Sequence, residues 1–352
     1  MTRTLDFKYN VLRSGAIFSR LIALSDASSD ASAPTIRMND SGPIKTSFLG
    51  TFLPNAKVDL LSDEVQPVIV IDGVEHPLGV FLVTTVSDSQ GDTARSISVE
   101  AYDRAWRLES TKTETMIYFA AGTNYLEAVK GLLTAAGITS VIETPTAASL
   151  TEARQEWDVG TSYLTIVNQL LGEINYKEIW FNQDGVAILE PVKTPTAENI
   201  THTLDSEKVS SLLLPSLRRE TDAFSAPNVF ICVCSNPDKD VPLVATAVND
   251  NPASPLSTVR RGRRICTVEY VDNIASQKEL QAYADRQRDG SMIRGETLIA
   301  QTALLPGFGV DDVTALHFNY FSGICLERAW TMELCVGGTM SHTLEKVVYA
   351  LE

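Results

Sequence analysis

The sequence predicts a mainly β, α+β protein: two antiparallel β-barrel domains with a small α/β insert between them. Three observations predict it. Short apolar runs with period-two alternation recur at turn spacing through the first 112 residues. Two stretches of helical periodicity fall together between residues 113 and 200. From residue 201 to 352 strand-like runs resume, interrupted by one helix and one long polar connection.

In chain order, Thr4 to Leu24 reads as two strands, and Ser25 to Pro34 (SDASSDASAP) as a polar surface loop or a segment that orders against a neighbouring subunit. Ile36 to Leu49 and Lys57 to Leu61 are strand candidates, separated by Gly50 and Pro54. Val68 to Ile71 and Val74 to Pro77 flank Asp72-Gly73, which supplies the positive φ angles of a two-residue hairpin turn. Leu78 to Val86 alternates well, and Gln90-Gly91-Asp92 makes the next turn. About seven short strands without a helix describe a closed or nearly closed antiparallel barrel.

Within Ser96 to Lys112, Ile97, Val99 and Ala101 alternate with Ser98, Glu100 and Tyr102. The alternation stops at Asp103, which is placed to cap a short helical exit carrying Arg104, Trp106, Arg107 and Leu108. Thr123 to Ala136 has the i, i+3, i+4, i+7 spacing of an amphipathic helix, with Gly137 as its C-cap. A second helix runs from Ser162 to Ile174, with Asp158 and Thr161 as candidate caps. Asn175 to Leu189 forms a strand pair across Asn182-Gln183-Asp184-Gly185.

The order of these pieces resembles the baseplate hub proteins of phage tails and contractile injection machines. A strand ending V-x-A-Y-D-x-x-W-x-L (Val99, Ala101, Tyr102, Asp103, Trp106, Leu108) is followed by Phe119, a short helix, and Gly137 with Ile138. Tyr102, Asp103, Trp106 and Leu108 are the signature residues of that resemblance.

The second half extends it. Asn228 to Cys234 is an apolar strand of barrel-wall type, followed by a long Pro-, Asp- and Asn-rich connection from Ser235 to Ser257. Arg261 to Tyr270 reads as a strand. Ser276 to Arg288 reads as a helix with a Ser276/Glu279 capping box, and Ile293 to Ala303, Val313 to Phe318, Gly323 to Leu334 and Thr343 to Val348 as the last strands. The hub family carries S-x-x-E-L-x-x-x-A, matched by Ser276, Glu279, Leu280 and Ala284. Its following P-G-x-G-x-D-x-V loop is approximated by Pro306, Gly307, Gly309, Asp311 and Val313, although the family usually sets Gly and Asp adjacent before the valine.

Composition narrows the function classes. A chain of 352 residues exceeds what one core usually supports, so several domains are expected. A net charge of -15 argues against a nucleic-acid-binding surface, which needs clustered cations. No apolar run is long enough for a spanning helix and no signal-peptide pattern opens the chain, so a soluble, unprocessed protein is expected. Five cysteines, Cys232, Cys234, Cys266, Cys325 and Cys335, read as buried thiols of a reducing cytoplasm.

A search for catalytic chemistry finds none. Cys232-x-Cys234 places two thiols on one strand face about 7 Å apart but lacks the second pair of a zinc site. His76, His202, His317 and His342 are scattered, and Asp63-Glu64 and Asp311-Asp312 read as solvated turns rather than separated catalytic carboxylates. The sequence has no nucleophile elbow and no P-loop or dinucleotide fingerprint. No catalytic residue, cofactor or metal site is therefore expected. The one conspicuous charge cluster, Arg260, Arg261, Arg263 and Arg264, reads as a solvated strand entry or as a patch docking on an acidic neighbour, with DNA binding a distant third.

What the resemblance implies is a non-enzymatic structural protein of a virion tail baseplate, assembled in the host bacterial cytoplasm. It implies two domains built like a tail-tube subunit, residues 1–112 and 201–352, with an insert at 113–200. It also implies a homotrimer that adapts a six-fold tail tube to a three-fold central spike. Other baseplate proteins and the tape measure protein would be further partners, and DNA would cross the channel without specific binding. The compact length favours a contractile system with a separate spike. The competing classes are a tail-associated cell-wall hydrolase, for which the chain leaves no room after its last strand, and an all-β carbohydrate-binding module, which would need exposed aromatic platforms.

Overall fold

The computed structural model describes residues 3–28, 31–90, 95–193, 195–208, 212–220, 226–234, 242–271, 277–293, 296–319 and 321–347. The protein is mainly β, with a large antiparallel sheet and few helices. Two compact units interleave along the sequence. The first holds residues 1–194, 302–311 and 328–341, and the second holds 195–301, 312–327 and 342–352.

In the first unit, β1 (Leu5–Arg13) and β2 (Ala16–Leu21) form a hairpin over Ser14 and Gly15, both at positive φ. β3 (Thr35–Asn39) pairs with β4 (Thr46–Phe52), so the expected Ile36 to Leu49 strand is a hairpin with a turn inside it. β5 (Glu64–Ile71) and β6 (Val74–Pro77) meet across Asp72 and Gly73, at φ 49° and 86°, as the Asp-Gly pair predicts. β7 (Phe81–Gln90) and β8 (Arg95–Asp103) complete the set; the Gly91-Asp92 part of the expected turn between them lies outside the described residues.

The strands follow the antiparallel path β3-β4-β8-β7-β5-β1-β2, and Ala329–Glu333 adds to the free side of β3. A bridge from Ala23 to Phe52 and a hydrogen bond from Leu53 N to Ile22 O curl the end of β2 toward β4. Among the described residues no further pairing joins the ends of the path. Inside the curl Tyr9, Phe48, Phe52 and Phe81 are buried; Tyr9 meets Phe52 edge-on at 5.1 Å, and Phe48 lies 5.5 Å from Phe81. Lys57 to Leu61, expected as a strand, is a turn: Asp59 accepts from Leu61 N and Ser62 Oγ, a local alternative to sheet pairing.

α1 (Ala105–Ser110) leads from β8 to the α/β insert, which the same unit carries and whose elements are α2 (Tyr125–Ala135), β9 (Val141–Glu143), α3 (Tyr163–Glu173), β10 (Trp180–Phe181) and β11 (Ala187–Leu189). Asn124 caps α2 by accepting from Leu126 N and Glu127 N, and Gly137 at φ 78° follows its end. The cap of α3 is Ser162 rather than Asp158 or Thr161, because its Oγ reaches Thr165 N. β10 and β11 pair antiparallel, and β9 joins β11 in parallel, a third strand that its short, unalternating sequence does not announce. Leu108, Leu126, Val129, Leu133, Leu164, Val167, Leu170 and Leu171 belong to one buried cluster.

After the insert, β12 (His202–Asp205), β13 (Leu213–Glu220), β14 (Val229–Cys234), β15 (Leu243–Val248), α4 (Thr258–Arg261), β16 (Cys266–Val271) and α5 (Gln277–Ile293) precede β17 (Thr297–Ala303), β18 (Val313–Phe318), β19 (Phe321–Glu333) and β20 (Thr339–Lys346); all belong to the second unit except residues 302–303, 328–333 and 339–341, which belong to the first. β18 pairs in parallel with β12 and antiparallel with Phe321–Leu326. Two expectations are corrected here. Asn228 to Cys234 is not a wall strand of the large sheet but the centre of a separate three-stranded sheet, β15-β14-β16. The connection from Ser235 to Ser257 contains β15, because Leu243–Val248 carries enough apolar alternation to pair with β14; residues 235–241 lie outside the described residues. α5 covers one face of this sheet through Leu280 and Ala284 against Phe230, Cys232, Cys234, Ala245 and Ala247. The expected Ser276 cap also lies outside the described residues.

Candidate functional site

The signature residues come together where β8 leaves the sheet. The pleat points Val99 and Ala101 into the core, and the chain turns at Asp103, which is buried. Asp103 Oδ2 accepts from Thr46 N of β4 and Oδ1 from Ala105 N, both at 2.9 Å, so one carboxylate ties the strand end to the start of α1. Tyr102 stacks on Trp106 with ring centroids 5.9 Å apart and donates to Glu100. Leu108 is fully buried in the insert cluster.

Beside Asp103, Arg104 makes a two-pronged pair with Glu64 at 3.1 and 2.8 Å and donates to Gly185 O at 2.8 Å. Arg107 adds a bond to the same Glu64 at 3.1 Å. The expectation that Asp63 and Glu64 form a solvated turn is overturned: both are buried, Glu64 under Arg104 and Arg107 and Asp63 under Arg13, with bonds at 2.7 Å. Guanidinium groups from distant segments make that burial tolerable. The Arg13 hydrogen bond holds the Asp63 carboxyl below its ordinary range.

A second charged node surrounds Lys45, which is buried and donates to Asp40 O and to Glu178 at 2.6 Å. Arg328 bridges Asp40 and Asp311 at 2.9 and 2.5 Å. Sequence reasoning missed both nodes because most of the partners lie far apart in the chain; a local hint is an acid, Glu64, opening a mostly apolar strand.

A cavity of about 30 Å³ beside Asp103, lined also by Thr46, Gly79, Trp180 and Trp330, has room for a water. The buried indole N–H groups of Trp180 and Trp330 have no hydrogen-bond partner among the described residues. The whole arrangement positions backbone.

Burial pushes the Asp103 carboxyl up to about 6, the backbone N–H bonds opposing the shift. A raised acid contributes stability that is complete below the unfolded value near 3.9 and is lost as pH rises through about 6. The unfolding free energy is therefore expected to fall by roughly 3 kcal/mol from this group between about pH 4 and 6. Asp103→Asn should remove that slope. Denaturation at pH 4, 5, 6 and 7 checks it, and equal slopes in both proteins would contradict it.

The basic run lies in the second unit. Ser257 caps the single turn of α4 through Arg260 N, and Gly262 at φ 62° ends it. The strand expected from Arg261 starts only at Cys266, since helical φ and ψ at Arg260 and Arg261 and a left-handed Gly262 cannot continue a ladder. Arg260, Arg263 and Arg264 are exposed, while Arg261 donates to Ala226 O at 2.6 Å. Of the cysteines, Cys232, Cys234 and Cys325 are buried, Cys335 is half-buried and Cys266 is exposed, which corrects the expectation for the last two. Cys266 is the first residue of β16, on the face that α5 does not cover.

Two histidines have acid partners: His202 with Asp312 at 3.0 Å, and His342 with Glu327 at 2.9 Å, the latter pair wholly buried. Burial pushes the Glu327 carboxyl up. Among the described residues no group of three or more His, Cys, Asp or Glu side chains could hold a metal ion. Among them, too, no helix is long and apolar enough to cross a membrane.

No family model and no curated protein matches the sequence. Solved structures do match the fold. The 43 kDa tail protein of prophage MuSo2 from Shewanella oneidensis superposes with a TM-score of 0.68 at 10% identity, over 97% of this chain and 98% of that one. A tail protein from Neisseria meningitidis MC58 gives 0.67 at 14% identity, over 97% and 96%. The Escherichia coli protein c3393, a component of the type VI secretion system with structural similarity to the T4 bacteriophage tail proteins gp27 and gp5, gives 0.54 at 10% identity, over 99% and 79%. The chain therefore has the fold of phage tail proteins and of a type VI secretion component, and the sequence resemblance to tail hubs agrees with it.

Proposed function

We propose that this chain is a structural hub subunit at the tip of a phage tail or of a phage-like contractile particle. The observation that carries the reading is the match to phage tail proteins along nearly the whole of both chains, which leaves little of either outside the shared fold. Three copies, each contributing tube-like domains at 1–112 and 201–352, present six similar units to a six-fold tail tube and a three-fold face to a central spike. The 113–200 insert projects outward or contacts the next baseplate component. Its role is symmetry adaptation, and it catalyses nothing.

Charge supports a passive channel. Three copies carry 3 × 15 = 45 net negative charges, so a lumen lined by carboxylates lets DNA pass without specific binding and accommodates a tape measure protein. The protein resides in the virion tail baseplate after assembly in the host cytoplasm. Gold-labelled antibody against the chain, viewed on purified particles by negative stain, is expected at the tail tip. Label along the shaft, or none on particles, would contradict the reading.

A further inference from the structure

In the three-stranded sheet of the second unit the central strand, β14, is apolar on both faces, yet α5 covers only one. Register pairs Ile231 with Thr246 and Val268, and Val233 with Val244 and Tyr270, so these six side chains share the other face. There Val244 is 51% exposed, Val268 50% and Tyr270 77%. A sheet with one face packed on a core and one in water normally alternates apolar with polar, whereas a sheet covered on both faces does not. β14, reading Val-Phe-Ile-Cys-Val-Cys, is written for cover on both sides.

We propose that this open face is the contact surface for a second copy of the same chain, an inference that rests on the homotrimer reading. Three strands about 4.8 Å apart and six residues long at about 3.3 Å each make a face of roughly 300 Å². That suits the dry centre of an interface in which each partner buries about 800 Å². Charge selects the occupant. Arg260 and Arg264, exposed and without an ion pair among the described residues, stand just before the Cys266 end of β16. A chain with 44 acidic and 29 basic residues offers an acidic surface to them.

Charge also selects the geometry. Two copies meeting face to face through this patch would set basic rim against basic rim, so the contact is head-to-tail, with a different, acidic surface of the next copy received here. Head-to-tail contacts that close make rings, as a trimer requires.

Val268→Asp and Tyr270→Asp alter exposed side chains, so circular dichroism should be unchanged. Each is expected to raise the concentration at which the chain trimerises, alone or with the spike protein, at least tenfold. In the wild type, alkylation of Cys266 by a maleimide should slow at least tenfold on trimerisation. Arg264→Glu should weaken the trimer and reverse the effect of added salt. Variants that trimerise like the wild type, with Cys266 equally reactive before and after, would overturn this surface while leaving the homotrimer intact. A wild type that forms no trimer under either condition would remove the homotrimer reading itself, and this surface with it.

Discussion

Replacing Gly185 with alanine is expected to destabilise the first unit by about 2–5 kcal/mol, from the strain of a left-handed backbone plus the overpacking of a tight contact. Gly185 sits at φ 72° in the turn between β10 and β11, and a Cβ there would lie 2.8 Å from Val80 Cβ and 3.3 Å from Arg104 Nη1. The same residue's carbonyl receives Arg104, which in turn holds Glu64. The added methyl therefore pushes the hairpin off the sheet and loosens the ion pairs beneath it. All four tryptophans, Trp106, Trp157, Trp180 and Trp330, belong to this unit, so tryptophan fluorescence during urea denaturation reads it selectively. An unchanged midpoint would mean that the turn does not bear on the sheet as described.

His342→Ala is expected to cost the second unit about 3–5 kcal/mol, because it strands the Glu327 carboxylate at a fully buried position. Glu327 Oε2 is bonded to His342, and Oε1 has no hydrogen-bond partner among the described residues. With the imidazole gone, the carboxyl is forced toward its protonated form. Its folded-state value rises further above the unfolded one, so the deficit is small in acid and grows as pH increases. Replacing both residues with leucine should recover most of the loss, since two apolar groups leave no charge to desolvate. Hydrogen exchange of the β19 and β20 amides would report it. A pH-independent deficit that the double substitution does not relieve would show that the pair acts through packing alone.

These side chains also show how far sequence reasoning reaches. Asp72-Gly73 fixed its hairpin because the positive φ angles it needs are a local property of two residues. Asp103 was legible for the same reason: strand alternation ends at it, and its carboxylate acts on Ala105 two residues on. Glu64 was misread because the groups that let it be buried, Arg104 and Arg107, lie about 40 residues away and carry no local sign of the pairing. Lys57 to Leu61 looked like a strand by composition, yet Asp59 turned it with its own side chain. The apolar Asn228 to Cys234 run announced a strand and a demand for cover, but not the sheet that holds it or the face left open. Pairing and partner choice are long-range, and alternation encodes only which residues seek shelter.

On the proposed reading this chain works as a three-fold ring subunit. Light scattering on the purified protein, alone and after mixing with the spike protein of the same particle, measures it directly. Three times the mass of the single chain is expected, either for the protein by itself or for the protein bound to the spike. A mass of one chain in both samples, with no spike bound, would contradict it.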